Sequence, residues 1–182
     1  MSRTARAASS WGYDLRRNLG GSFTARARGL LATEFALLGS NSEEFGRLRL
    51  TGVSGAEFRS ESYAAAFEAS GRRYRMVADG EEVLTGGPKA RAIDELEISC
   101  GAQTYEVWVS FFRNLAVASY PGGERAVRLS GGLMGRSYET LFAAEDRCAF
   151  PIAIFLLWHI AANRRRAYRA GSPTKGGLCK GL

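Results

Sequence analysis

One histidine, four prolines, three methionines and three cysteines are all that 182 residues contain. Each scarcity excludes something. A lone His159 cannot build a histidine-rich metal site, and any Ser–His or Cys–His catalytic pair would have to use that one imidazole, which lies inside an apolar run. Cys100, Cys148 and Cys179 are odd in number, far apart and without a CxxC pair. They are therefore expected to be buried or incidental thiols, not a disulfide framework or a zinc site. No βαβ alternation is present, no GxGxxG follows a strand, and no P-loop lysine follows Gly131-Gly132. No loop of the EF-hand calcium type occurs either. The basic opening MSRTARAASS leads into no apolar stretch, so it is not read as a secretory signal. These absences lead to the expectation of a protein that is cytoplasmic or peripheral to a membrane, with no cofactor, no metal and no enzymatic activity.

Long apolar runs are also scarce, and the one present is informative. Cys148 to Ala162 reads CAFPIAIFLLWHIAA, followed at once by Asn163-Arg164-Arg165-Arg166. A helix apolar on all sides must be surrounded on all sides, by protein or by lipid. The run has 15 residues, whereas crossing a hydrocarbon core takes roughly 20. An imidazole at bilayer depth is costly. Pro151 suits a first helical turn, and the arginines suit the negative end of the helix dipole. A buried central helix over about 151–166 is expected; a membrane-anchoring segment and a partner-binding helix are the alternatives.

The formal net charge of +7 is unevenly placed. Residues 1–31 hold Arg3, Arg6, Arg16, Arg17, Arg26 and Arg28 against Asp14, and residues 164–182 hold Arg164, Arg165, Arg166, Arg169, Lys175 and Lys180 with no acid. The body between them is slightly acidic. Nucleic-acid-binding domains carry their basic patch on the fold itself, so no nucleic-acid partner is expected. The basic ends are read first as solvated tails that aid solubility; because they flank an apolar segment, contact with an anionic membrane surface is the alternative.

From about residue 22 to 143 the chain reads as short strands between turn signals. Phe45 to Leu50, Arg72 to Val77, Glu95 to Ser99, Thr104 to Val109 and Arg125 to Leu129 alternate apolar with polar residues. Asp79-Gly80 is a hairpin signal, because both residues tolerate positive φ. Asp79, Glu81 and Glu82 fall on that hairpin tip, where solvation accounts for them. Asp94, Glu95 and Glu97 lack the distinct environments that paired acid/base carboxylates need. The overall reading is a succession of antiparallel hairpins with one terminal helix.

That order of events resembles the tubby C-terminal-like superfamily, in its LURP-one-related and phospholipid-scramblase-like branches. The resemblance covers residues 10–166. It is carried by Ser10-Trp11-Gly12-Tyr13-Asp14 as an opening strand, by the strand–DG–strand unit Arg72 to Leu84, and by the helix Phe150 to Ala162 closing on Arg164-Arg165-Arg166. It implies a mainly β fold, a closed antiparallel β-barrel enclosing a hydrophobic C-terminal α-helix, with residues 1–9 and 167–182 as disordered basic ends. It also implies a binding module for anionic phospholipid or phosphoinositide. Arg72, Arg73 and Arg75, joined by Lys89 and Arg91, are the candidate headgroup ligands, since alternate arginines on a strand face can converge on phosphate oxygens. Arg164, Arg165, Arg166 and Arg169 are the candidate contacts to an anionic surface. A soluble structural or small-ligand-binding barrel, and a C-terminally anchored protein, remain the alternatives.

Overall fold

The computed structural model describes residues 11–171, apart from 30–31, 53, 90–93 and 133, with side chains of the last helix described as far as 167. After a short helix, α1 (Tyr13–Leu19), come twelve strands: β1 (Ser22–Arg28), β2 (Glu34–Leu38), β3 (Glu44–Thr51), β4 (Gly55–Ser60), β5 (Ala64–Ser70), β6 (Arg73–Ala78), β7 (Glu81–Pro88), β8 (Glu95–Cys100), β9 (Gln103–Ser110), β10 (Leu115–Ser119), β11 (Arg125–Gly131) and β12 (Ser137–Phe142). A 23-residue helix, α2 (Ala149–Gly171), ends the described chain.

Every strand pairs antiparallel with its sequence neighbour, and β1 pairs with β12, aligning Phe23 with Thr140 and Ala25 with Tyr138. The barrel is closed and leaves no sheet edge. The alternation in the sequence becomes an inside and an outside. In β8, Leu96, Ile98 and Cys100 point inward while Glu95, Glu97 and Ser99 point outward. The Asp79-Gly80 turn has φ 52° and 78°, as its sequence signal requires.

The interior is filled by α2. From Cys148 to Ala162 every residue is buried, and Phe150, Ile152, Phe155, Leu156 and Leu157 have no exposed surface. The helix is therefore enclosed by protein. Among the described residues, no helix is long and apolar enough to cross a membrane. The wall makes room with small inward residues, among them Ala25, Ala56, Ala65, Ala116 and Ala118, which a helix about 10 Å across demands. Aromatic rings lock the two together: Phe150 stacks on Trp11 at 5.7 Å, Trp158 meets Phe67 at 5.5 Å and Phe155 meets Tyr74 at 5.9 Å between centroids.

Three expectations are corrected. The segment at 10–14 is not a strand within the described residues. Gly12 adopts a left-handed φ of 70° and starts α1, and a Cβ there would stand 2.7 Å from the Phe150 ring. The glycine is what lets the chain turn across the end of the buried helix. Cys100 and Cys148 are not incidental thiols: they form a disulfide, 48 residues apart in sequence, tying β8 to the start of α2. Finally, α2 continues to Gly171 instead of stopping near 166. Of the segments expected to be disordered, 1–9 and 167–182, residues 167–171 belong to α2, and 1–9 and 172–182 lie outside the described residues.

Candidate functional site

Strict up-and-down topology places the strand connections alternately at two ends of the barrel. One end receives the start of α2 and carries residues 11–21, 39–43, 61–63, 79–80, 101–102, 120–124 and 143–148. The other end, where α2 emerges, carries the described residues 29, 32–33, 52, 54, 71–72, 89, 94, 111–114, 132 and 134–136.

The ends differ in charge. Where α2 starts, the described connections hold Asp14, Glu43, Glu61, Asp79, Glu124, Glu145 and Asp146 against Arg16, Arg17 and Arg147. Of these bases, Arg16 is buried. Where α2 emerges, they hold Arg72, Lys89, Arg113 and Arg136 against Asp94, and the helix adds Arg164, Arg165 and Arg166. This polarity follows the helix dipole, with acids at its positive end and cations at its negative end.

At the acidic end one carboxylate organises the helix start. Asp146 Oδ2 accepts hydrogen bonds from the Tyr105 and Tyr120 hydroxyls, each at 2.8 Å, and Oδ1 accepts from the Cys148 backbone N–H at 2.9 Å. Burial, and then the Asp146 carboxylate, push the Tyr120 phenol up to about 12 and raise Tyr105 further. Neutral hydroxyls held as donors are suited to capping, not to proton transfer near neutrality. A cleft of about 790 Å³ lies at the same end, between α1, β3 and the β4–β5 connection. Its lining mixes Asp14, Glu44 and Glu61 with Arg47 and Arg59. Glu44 is held below the usual carboxylate range, first by the hydrogen bond from Arg47 and further by the charges of Arg28 and Arg47.

Of the predicted headgroup ligands that are described, two share a groove. Arg73 and Lys89 line a shallow groove of about 400 Å³ on the outer wall, together with Thr85, Gly87, Glu97 and Ser99. Arg75 points outward from the same strand but pairs with Glu68 at 2.5 Å, and Lys89 pairs with Glu106 at 2.5 Å. That partner raises the Lys89 ammonium above its ordinary value. Arg72 stands at the basic end, where its charge and that of Arg166 both act on the Tyr74 phenol, whose raised pKa comes mainly from burial. Arg91 lies outside the described residues.

The predicted surface arginines belong to a folded helix, not to a tail. Arg164 donates to Asn114 Oδ1 and packs against Gly135, where a Cβ would lie 2.7 Å from its Nε. Gly135 has φ 62°, so both its conformation and its lack of a side chain make room for the arginine. Arg165 and Arg166 are half-buried, and Arg166 donates to Asn163 Oδ1 at 3.4 Å. The Arg169 side chain lies outside the described residues.

Sequence reasoning missed three residues at this end. Asn114, buried with φ 50°, joins two connections: its Nδ2 donates to the Gly132 carbonyl at 2.8 Å, and its own carbonyl accepts from the Gly131 N–H at 2.7 Å. Phe112 and Met134, at the tips of those connections, are 94% and 71% exposed. Asparagine after Phe-Phe-Arg is a left-handed turn signal that was there to be read. Nothing local marks the two apolar tips as neighbours.

The fold is similar to that in the X-ray structure of an Arabidopsis thaliana protein, AT5G01750, with a TM-score of 0.53 and 11% identity over 76% of this chain and 90% of that one. At that identity the likeness is one of fold. No family model and no curated protein matches the chain.

Proposed function

We propose that this protein is a non-enzymatic, tubby-like binding module that associates with anionic phospholipid at a membrane surface. The observation that supports this reading is the segregation of charge along the barrel. Two arginine sets far apart in sequence, Arg72 and Arg164 to Arg166, share the end where α2 emerges, and the acidic connections lie at the opposite end. Such a molecule orients in the field of an anionic leaflet, each nearby cation contributing about 1 kcal/mol. The buried helix occupies the barrel interior, which disfavours a small-ligand barrel.

A second reading has its own observation. The wall groove at Arg73 and Lys89 is concave and could hold a phosphate, giving headgroup-selective binding. Its Glu97 and the Lys89–Glu106 pair oppose an anion there, so the end is preferred. A location at the cytoplasmic face of a membrane belongs to the same proposal. The Cys100–Cys148 disulfide points instead to an oxidising compartment, where such bonds persist. A thiol count on protein from cells, quenched with alkylating reagent, separates the two.

Co-sedimentation tests the main reading, using vesicles of phosphatidylcholine alone and of phosphatidylcholine with phosphatidylserine, at low and high salt. Binding confined to the anionic vesicles and lost at high salt is expected, because screening contracts to about 3 Å at 1 M. Recovery in the supernatant under every condition removes the reading.

A further inference from the structure

We infer that the protein docks end-on, with the Phe112 and Met134 loops inserted at the acyl–headgroup boundary of an anionic bilayer and Arg113 and Arg136 on the lipid phosphates. This rests on the phospholipid reading above and adds to it a site and an orientation.

Among the described residues, Phe112 and Met134 are the two most exposed large apolar side chains. Chain topology puts them at the same end, on connections that flank the β10–β11 pair. A phenylalanine covers about 150–250 Å² when buried, and here nearly all of its surface faces water. The loops that carry the tips are held in place. Asn114 bonds to Gly132 through its side chain and to Gly131 through its backbone, and it receives Arg164 from the buried helix. Little ordering entropy therefore remains to be lost on insertion, which favours binding.

Charge complementarity names the occupant. Arg113 follows Phe112 directly, Arg136 lies two residues beyond Met134, and both are exposed. Arg136 also donates to the Gly29 carbonyl at 3.2 Å, which fixes its position on the rim. Apolar tips with flanking guanidiniums match a bilayer interface, where rings enter the acyl boundary and cations reach phosphate. A protein partner asks for something else, a continuous surface burying on the order of 1,000 Å², and two isolated loop tips do not provide it. The opposite end has acidic connections, and its one exposed large ring among the described residues, Tyr13 at 43%, lies beside Arg16 and Arg17.

The test uses the full chain and vesicles of phosphatidylcholine with phosphatidylserine. Compared are the parent, a Phe112→Ser, Met134→Ser double variant, and Trp108→Ser, which changes an exposed ring on the barrel wall. Partitioning of the double variant is expected to fall by about tenfold or more, with Trp108→Ser unchanged. A Phe112→Trp variant gives a second, independent readout. Its added emission should be quenched by lipids brominated on the acyl chain. If the parent binds while the double variant binds equally, or if the bound Phe112→Trp chain escapes quenching, end-on insertion is overturned and the phospholipid reading stands. If the parent does not bind these vesicles, both are overturned.

Discussion

Replacing Trp158 by alanine probes the packing on which everything else is mounted. Its indole is 1% exposed and lies against Phe67 at 5.5 Å, Phe155 at 5.4 Å and Tyr74 at 6.0 Å. Its Nε1 makes no hydrogen bond among the described residues, so truncation forfeits packing and apolar burial alone. Surrounded by closed barrel on all sides, the site cannot collapse freely, and the loss should fall in the 3–5 kcal/mol range of buried Trp→Ala changes. That is a large share of the roughly 5–15 kcal/mol available to a domain. At about 2–4 °C per kcal/mol for a chain of this size, Tm should drop on the order of 10 °C. Urea unfolding followed by near-UV circular dichroism reads this as a lower midpoint at unchanged slope. Trp108→Ala is the internal control. That indole is 43% exposed on the outer wall, and its loss should cost less than about 0.5 kcal/mol. A Trp158→Ala loss below about 1 kcal/mol, or equal costs for the two tryptophans, would refute the packing argument.

Three further outcomes follow from named contacts. Replacing Cys100 and Cys148 by serine, or adding reductant, should lower stability by about 2–4 kcal/mol, as expected for opening a long cross-linked loop; identical urea midpoints with and without reductant would contradict the disulfide. Tyr105 and Tyr120 titrate later in the folded chain than the ordinary tyrosine near 10, so the folded state keeps protons that the unfolded state gives up. Their contribution is therefore complete below about pH 10 and is lost as pH rises through the folded value; urea midpoints measured from pH 8 upward should fall above 10, and less steeply in Tyr120→Phe. Asp146→Ala leaves the Tyr120 hydroxyl and the Cys148 N–H without their acceptor, while the Tyr105 hydroxyl keeps Gln103 Oε1 at 2.6 Å, and should cost about 1–3 kcal/mol by equilibrium unfolding.

The parts of this fold legible in the sequence are those set by local pattern. The all-round apolar run announced a helix needing an enclosure, and period-two alternation in Glu95 to Cys100 announced a strand with one face inside. What escaped was set by closure. Cys100 and Cys148 meet only because β8 ends beside the start of α2, a proximity no spacing rule encodes. Trp11-Gly12-Tyr13 carries the aromatics of a strand, but Gly12 takes a left-handed turn so that the chain can lie over Phe150. The candidate site was half visible. The arginines of the helix end stood out as a charge run, but nothing in the sequence showed that Arg164 reaches Asn114 on the β9–β10 connection. Arg73 and Arg75 alternate as phosphate ligands on a strand would, but Glu68 lies on the neighbouring strand to neutralise Arg75. Phe112 and Met134 become neighbours only once hairpins are counted around the barrel and odd and even connections are sorted to opposite ends.

The most direct measurement sets the end of the barrel against its wall. Arg113→Glu with Arg136→Glu reverses the rim of the basic end, and Arg73→Glu with Arg75→Glu reverses the outer face of β6 on the wall; all four side chains are exposed. Both double variants are titrated with phosphatidylcholine–phosphatidylserine vesicles beside the parent at one salt concentration. At about 1 kcal/mol per charge near the surface, the rim variant should lose about a hundredfold or more in partitioning, and the wall variant should stay close to the parent. Loss of binding by the wall variant with the rim variant intact would contradict the account.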